Sequence, residues 1–260
     1  MKFQLSLFLL IATFSLFAQD IETCNKKLLA DFTKMEFYAE RKHENDNYDS
    51  VEKYNDAFQN KLLKYCNSVP KTMTYPFKEL TEIALGISTS QNGLFRIYSW
   101  NGETGGTMQD FRNVFQFKSG AQLYARKIAE QDDSDDNSFS YEIIDEVTSQ
   151  KQTFYVVKCI AIGSSAASSH KIKIFSIENG KLNQDAKLIK TKTGIQNELA
   201  YWIDFSDNAN LGFSYDDMQY AWIDYDKKTK TIAIPLITEA GKLTKKKIRY
   251  QFKGVYFEKI

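Results

Sequence analysis

The chain has 260 residues, 43% hydrophobic and 14% aromatic, with 34 Lys and Arg against 33 Asp and Glu and a formal net charge of +1. That balance argues against electrostatic capture of nucleic acid or of an anionic membrane, and the apolar content is enough for a real core. The length suits one large β domain, or one domain with a small appendage.

At the N-terminus, Lys2 precedes an apolar stretch from Phe3 to Phe17 and then Ala18-Gln19-Asp20. This is the charged, apolar and small-residue order of a secretory signal peptide, and we place the cut after Ala18. The leader then spans residues 1–18, and the expected address is periplasmic, cell-surface or extracellular. About 15 apolar residues fall short of the roughly 20 that cross a bilayer, and no later segment is longer, so no transmembrane segment is expected after cleavage. Ile21-Glu22-Thr23-Cys24 does not fit a lipoprotein cut site.

Residues 22–67 carry the helical period. Leu28, Phe32, Met35 and Ala39 form one stripe, and Val51, Tyr54, Phe58, Leu62 and Tyr65 form a second. The Asn- and Asp-rich stretch Lys42 to Ser50 reads as the turn of an antiparallel hairpin. Cys24 opens the first helix and Cys66 closes the second, symmetric about that turn. In an oxidising compartment this predicts a Cys24–Cys66 disulfide, closing a loop worth roughly 4 kcal/mol in the chain-entropy model. Cys159, in an apolar run, reads as a small buried hydrophobe.

From residue 71 onward the pattern is of short strands rich in aromatic and β-branched residues. They fall at Leu94–Trp100, Phe111–Lys118, Leu123–Ile128, Tyr141–Val147, Phe154–Ile162, Lys171–Ile177, Ala186–Ile189, Leu199–Phe205, Gln219–Tyr225, Thr231–Ile237 and Ile248–Phe257. Phe77 to Gly86 fits a strand or a short helix. A weak repeat places Gly120, Gly180 and Gly241 at intervals of 60 and 61 residues within similar turn sequences. The reading is a mainly β protein with a leader at 1–18, a helical hairpin at 19–70 and an antiparallel β domain at 71–260. Its strands would form a meander folded into a sandwich or, alternatively, blade-like repeats of about four strands.

A leader ending in Phe17-Ala18-Gln19, the helical stretch, the aromatic strands and Ser-Trp-Asn-Gly-Glu-Thr-Gly-Gly-Thr at 99–107 together resemble the uncharacterised exported β-rich proteins of Bacteroidetes. The resemblance implies a periplasmic or cell-surface address and no activity.

Few residues suggest chemistry. The two histidines, His43 and His170, have no Cys or second His nearby in sequence, whereas a zinc site needs three or four such ligands; no metal and no cofactor is expected. Gly102 to Thr107 lacks the Gly-Lys-Ser/Thr ending of a phosphate loop and reads as a hairpin turn. The runs Asp132 to Asn137 and Asp204 to Asn210 lack the sixth-position glycine and twelfth-position glutamate of a calcium loop. Lys245, Lys246, Lys247 and Arg249 read as charges guarding a terminal edge strand.

The most informative feature is a repeated Trp-Ile-Asp, at 202–204 and 222–224. A hairpin centred on the loop between them would set Trp202 opposite Trp222. Strand alternation would then collect Trp202, Asp204, Tyr220, Trp222 and Asp224 on one aromatic and acidic face, with Tyr201, Ile203, Ala221 and Ile223 turned to the core. Such a face suits ligands with apolar planes and hydroxyl rims, above all sugars. The same register would offset Asp204 and Asp224 by roughly 13 Å, too far for a glycosidase pair, and no catalytic residue is assigned. The expectation is therefore an exported, non-catalytic binding or envelope protein whose partner is a glycan or an envelope protein. The alternatives are a secreted hydrolase using His170 or scattered Asp residues, and a purely structural envelope component.

Overall fold

The computed structural model describes residues 20–44, 47–127, 139–206, 210, 212–213 and 215–260. The leader expected at 1–18 and the acidic run 132–137 lie outside them, as does part of the loop 204–210.

The two apolar stripes fold as anticipated. Helix α1 (Ile21–Ala39) buries Leu28, Phe32 and Met35, and α2 (Tyr48–Ser68) buries Val51, Phe58 and Leu62. They meet through Phe32 and Phe58, edge to face at 4.9 Å, and Phe58 in turn meets Trp100 at 5.0 Å. Among the described residues no helix is long and apolar enough to cross a membrane. A 3-10 turn at Pro70–Met73 and a short helix α3 (Lys78–Glu82) lead into the strands.

The strands form three sheets, each built mostly from one consecutive stretch of chain. The first runs β1 (Gly86–Thr89), β2 (Phe95–Asn101), β3 (Phe111–Ser119) and β4 (Gln122–Arg126) in that order. In the second, β11 (Glu198–Asp204) joins β7 (Ala167–Glu178), β6 (Gln152–Ile162) and β5 (Ser140–Ser149), with β8 (Lys181–Asn183) off β7. The third has the order β10-β9-β15-β14-β13-β12, from β9 (Ile189–Thr191), β10 (Gly194–Gln196), β12 (Asp224–Asp226), β13 (Thr231–Ile237), β14 (Leu243–Phe252) and β15 (Phe257–Lys259). All pairings are antiparallel except β15 with β9.

Alternation explains how these sheets stack. In β2, Tyr98 and Trp100 join the helical hairpin's core, whereas Phe95 and Ile97 face the second sheet with Phe115, Tyr155, Val157 and Phe175. In the second sheet, Val156, Ile172 and Ile174 point the other way, against Ile189, Ile232 and Phe257 of the third. The order of layers is therefore hairpin, first sheet, second sheet, third sheet. Strands covered on both sides lose the apolar–polar alternation of a half-exposed sheet, which is why β2 is buried along nearly its whole length. The protein is mainly β with an N-terminal helical hairpin, and its sheets are stacked rather than closed into a barrel.

The 60-residue repeat has a local meaning. Gly120, Gly180 and Gly241 sit in the β3–β4, β7–β8 and β13–β14 turns, one per sheet, with φ of 59°, 78° and 76°. Each turn needs the left-handed backbone that glycine adopts without a Cβ clash.

Buried amides dock the hairpin onto the first sheet. The Trp100 indole donates to Asn55 Oδ1 at 2.9 Å, and Asn55 Nδ2 donates to the Gly102 carbonyl. Gln116 Nε2 donates to the Cys66 carbonyl and to Thr72 Oγ1, both at 2.7 Å, while Tyr98 donates to Gln116 Oε1 at 3.1 Å. Arg112 bridges to Glu52 at 2.6 Å and to Asp56 at 2.8 Å.

One expectation needs correction. Cys24 and Cys66 are not joined; both are free, buried thiols. Cys66 turns its sulfur toward Tyr98 and Thr72 on the sheet side of α2, and burial pushes its thiol up to about 12, so the thiolate that disulfide exchange requires is suppressed. Cys159 is buried, facing the first sheet among Tyr141, Val157 and Phe175. The basic run lies in β14, between β13 and β15 in sheet order, but β15 pairs only with Tyr250–Phe252, so among the described residues Lys245–Lys247 have β13 as their one partner strand. Lys245 pairs with Asp217 at 2.5 Å, and Lys247 pairs with Asp224 while donating to the Gln219 and Trp222 carbonyls at 3.2 and 3.0 Å. These lysines pin the segment before β12 onto the sheet.

Candidate functional site

The Trp-Ile-Asp hairpin does not form. β11 pairs along its full length with β7, from Glu198 opposite Lys173 to Asp204 opposite Ala167. Residues Tyr215–Ala221 form a 3-10 helix, and Asp224 opens β12 in a different sheet. Ile203, Ala221 and Ile223 are buried, whereas Trp202 is 52% and Trp222 39% exposed, but only 202 and 203 lie in a strand.

The two tryptophans lie on opposite faces of the second sheet. On the face toward the third sheet, His170 stacks on Tyr201 at 5.2 Å and meets the Trp222 ring edge-on at 4.9 Å. Tyr201 donates to the Ala221 carbonyl at 2.7 Å, which closes the 3-10 helix over the same spot. Trp202, the next residue along β11, points to the side facing the first sheet. The ligand face expected from the sequence therefore divides. Trp202 stands with Asp204 at one end of the second sheet, Asp204 capping the backbone and hydroxyl of Ser206 at 2.8 and 2.5 Å. Trp222 packs on His170, and Tyr220 and Asp224 belong to a groove on the third sheet.

At Trp202 the geometry makes a cleft. The β6–β7 turn is tight: Gly163 N donates to the Ala167 carbonyl at 2.9 Å, and Ser164 Oγ accepts from the amides of Ala166 and Ala167. The Trp202 ring lies against Gly163 so closely that a Cβ there would come within 2.8 Å of its outer edge. Phe139, Ala161 and Ile162 continue the apolar wall, and the 109–162 backbone bond, Gln109 N to the Ile162 carbonyl at 2.9 Å, brings exposed Met108 alongside. Ser169 and Lys171 add polar groups, the Lys171 ammonium sitting 4.1 Å from the Phe139 ring centre. The cleft holds about 380 Å³, within the range of small-molecule sites.

No known protein family, curated protein or solved structure matches this chain. The reading of the site therefore rests on its own chemistry.

That chemistry gives catalysis little support. Ser168 Oγ and His170 Nε2 are 2.8 Å apart, the contact a nucleophile and its base would make. Burial, helped by the Lys158 charge, drives the imidazole down to about 4, so it is neutral and a weak base near pH 7. Among the described residues no carboxylate orients its other ring nitrogen, and no group of three or more His, Cys, Asp or Glu is gathered to hold a metal ion.

Sequence reasoning singled out Trp202 but missed its surroundings. In sequence, Gly163 to Ser169 has the Ser- and Gly-rich composition of a loop, although Ala167–Ser169 open β7, and Met108 and Phe139 lie far from Trp202 in the chain. Gly163 next to small residues was the one available signal of a close approach.

Proposed function

We propose that this chain is an exported, non-catalytic binding protein whose Trp202 cleft recognises glycans. The carrying observation is the half-exposed Trp202 ring, fixed against Gly163 and flanked by Phe139, with the Ser169 hydroxyl at the same cleft. A large aromatic usually goes to the core, and here its neighbours Tyr201 and Ile203 already serve the core, which leaves Trp202 free for a ligand. Export rests on the leader pattern of residues 1–18. Stacking a sugar on one ring is a contact of roughly 1 kcal/mol by analogy with other aromatic pairs, so single sites should be weak. A glycan array probed with the mature protein tests the reading. Retained neutral glycans that disappear with folded Trp202→Ala support it; an empty array, or one unchanged by the substitution, counts against it.

A second reading, a hydrolase, draws on the Ser168–His170 contact alone. Turnover of ester, peptide or polysaccharide panels that is abolished by Ser168→Ala would favour it.

A further inference from the structure

We propose a second binding site, independent of the Trp202 cleft, in which the third sheet takes an acidic glycan through Lys246 and Arg249. Tyr225 of β12 and Tyr250 of β14 face the second sheet, so Asp224 and Arg249 project from the opposite, outer face, in line across Ala233. There a groove of about 520 Å³ gathers Lys245, Lys246, Lys247 and Arg249 with Tyr220 and Gln219. In a chain with a net charge of only +1, four cations within five consecutive residues are a local excess.

Pairing divides them by role. Asp217 holds Lys245, and Asp224 with two backbone carbonyls holds Lys247, so these two build the wall. Lys246 and Arg249 have no carboxylate partner among the described residues. An Arg guanidinium offers a planar fork of donors that fits a carboxylate or sulfate. The Tyr220 ring, with the Lys245 ammonium 5.6 Å from its centre, supplies a face on which a sugar ring can lie. A separate groove of about 700 Å³ is lined by Lys190, Lys192, Glu258 and Lys259, and there Glu258 holds Lys190 at 3.1 Å.

The test titrates mature protein at 50 mM and 200 mM salt with heparin, polygalacturonate, neutral dextran, inorganic sulfate and a single-stranded oligonucleotide. One or both acidic polysaccharides should bind, more weakly at the higher salt, with dextran inert. Lys246→Ala with Arg249→Ala should lower that affinity about tenfold or more while circular dichroism is unchanged. Trp202→Ala should leave it intact, which separates this site from the cleft. Failure of both acidic polymers to bind, binding unaffected by the double substitution, sulfate bound as well as either polymer, or tighter binding of the oligonucleotide would each overturn the proposal.

Discussion

His170 should make the folded state sensitive to acid. Its ring is 2% exposed between Tyr201 and Trp222, and burial lowers its pKa from 6.5 to about 4. Because the folded value lies below the unfolded one, the unfolded chain takes up the proton first. The associated stability is fully present above pH 6.5, declines as the pH falls, and is lost entirely below about 4. A gap of this size corresponds to about 3 kcal/mol, of which about 2 disappear between pH 6.5 and 5. His170→Phe keeps a ring in the stack and removes the titration, while the half-exposed Ser168 hydroxyl can turn to water. Urea unfolding of both proteins at pH 7.5, 6, 5 and 4.5 isolates the effect, since shared carboxylates cancel in the difference. The variant should lose markedly less stability than wild type on acidification. Parallel stability curves for the two proteins would show that His170 is not held neutral by its surroundings.

Asn55→Leu should cost about 2–4 kcal/mol in chemical denaturation, because it leaves the buried Trp100 indole and Gly102 carbonyl without partners; a loss below about 1 kcal/mol would mean that water satisfies both. Gly241→Ala should cost about 1–2 kcal/mol through the left-handed backbone alone, as no atom lies within 4 Å of the new methyl group; a neutral result would place that turn in another conformation. Cys66, its thiol raised to about 12, should react with a maleimide only as fast as the protein opens, and prompt labelling of the native protein at Cys66 would refute its burial.

How far the sequence could be read depended on whether local pattern or distant pairing decided the outcome. The helical hairpin was legible because Leu28, Phe32 and Met35 and their counterparts in α2 repeat at helical spacing and need no distant partner for their pattern to appear. Most strands were legible too, β13 to the residue, and the repeated glycines marked one turn in each sheet. Strand partners were not. The identical tripeptides at 202–204 and 222–224 suggested a hairpin, but β7 offers β11 a seven-residue ladder together with a His170–Tyr201 stack. Tyr215–Ala221 then curls into a 3-10 helix over that stack instead of pairing. A pattern of faces survives such a change, since each strand keeps its own alternation, and so Trp202 is exposed even though Trp222 is not opposite it. Asn55, Gln116 and Gly163 carry no periodic signal, and only their partners reveal their roles.

Trp202, and not Trp222, is the glycan platform we propose. Its most direct test is calorimetric titration of an array-selected neutral glycan into wild type, Trp202→Ala and Trp222→Ala, each first shown to be folded. Binding should be lost in Trp202→Ala and retained in Trp222→Ala. Retention in Trp202→Ala, or loss confined to Trp222→Ala, would contradict it.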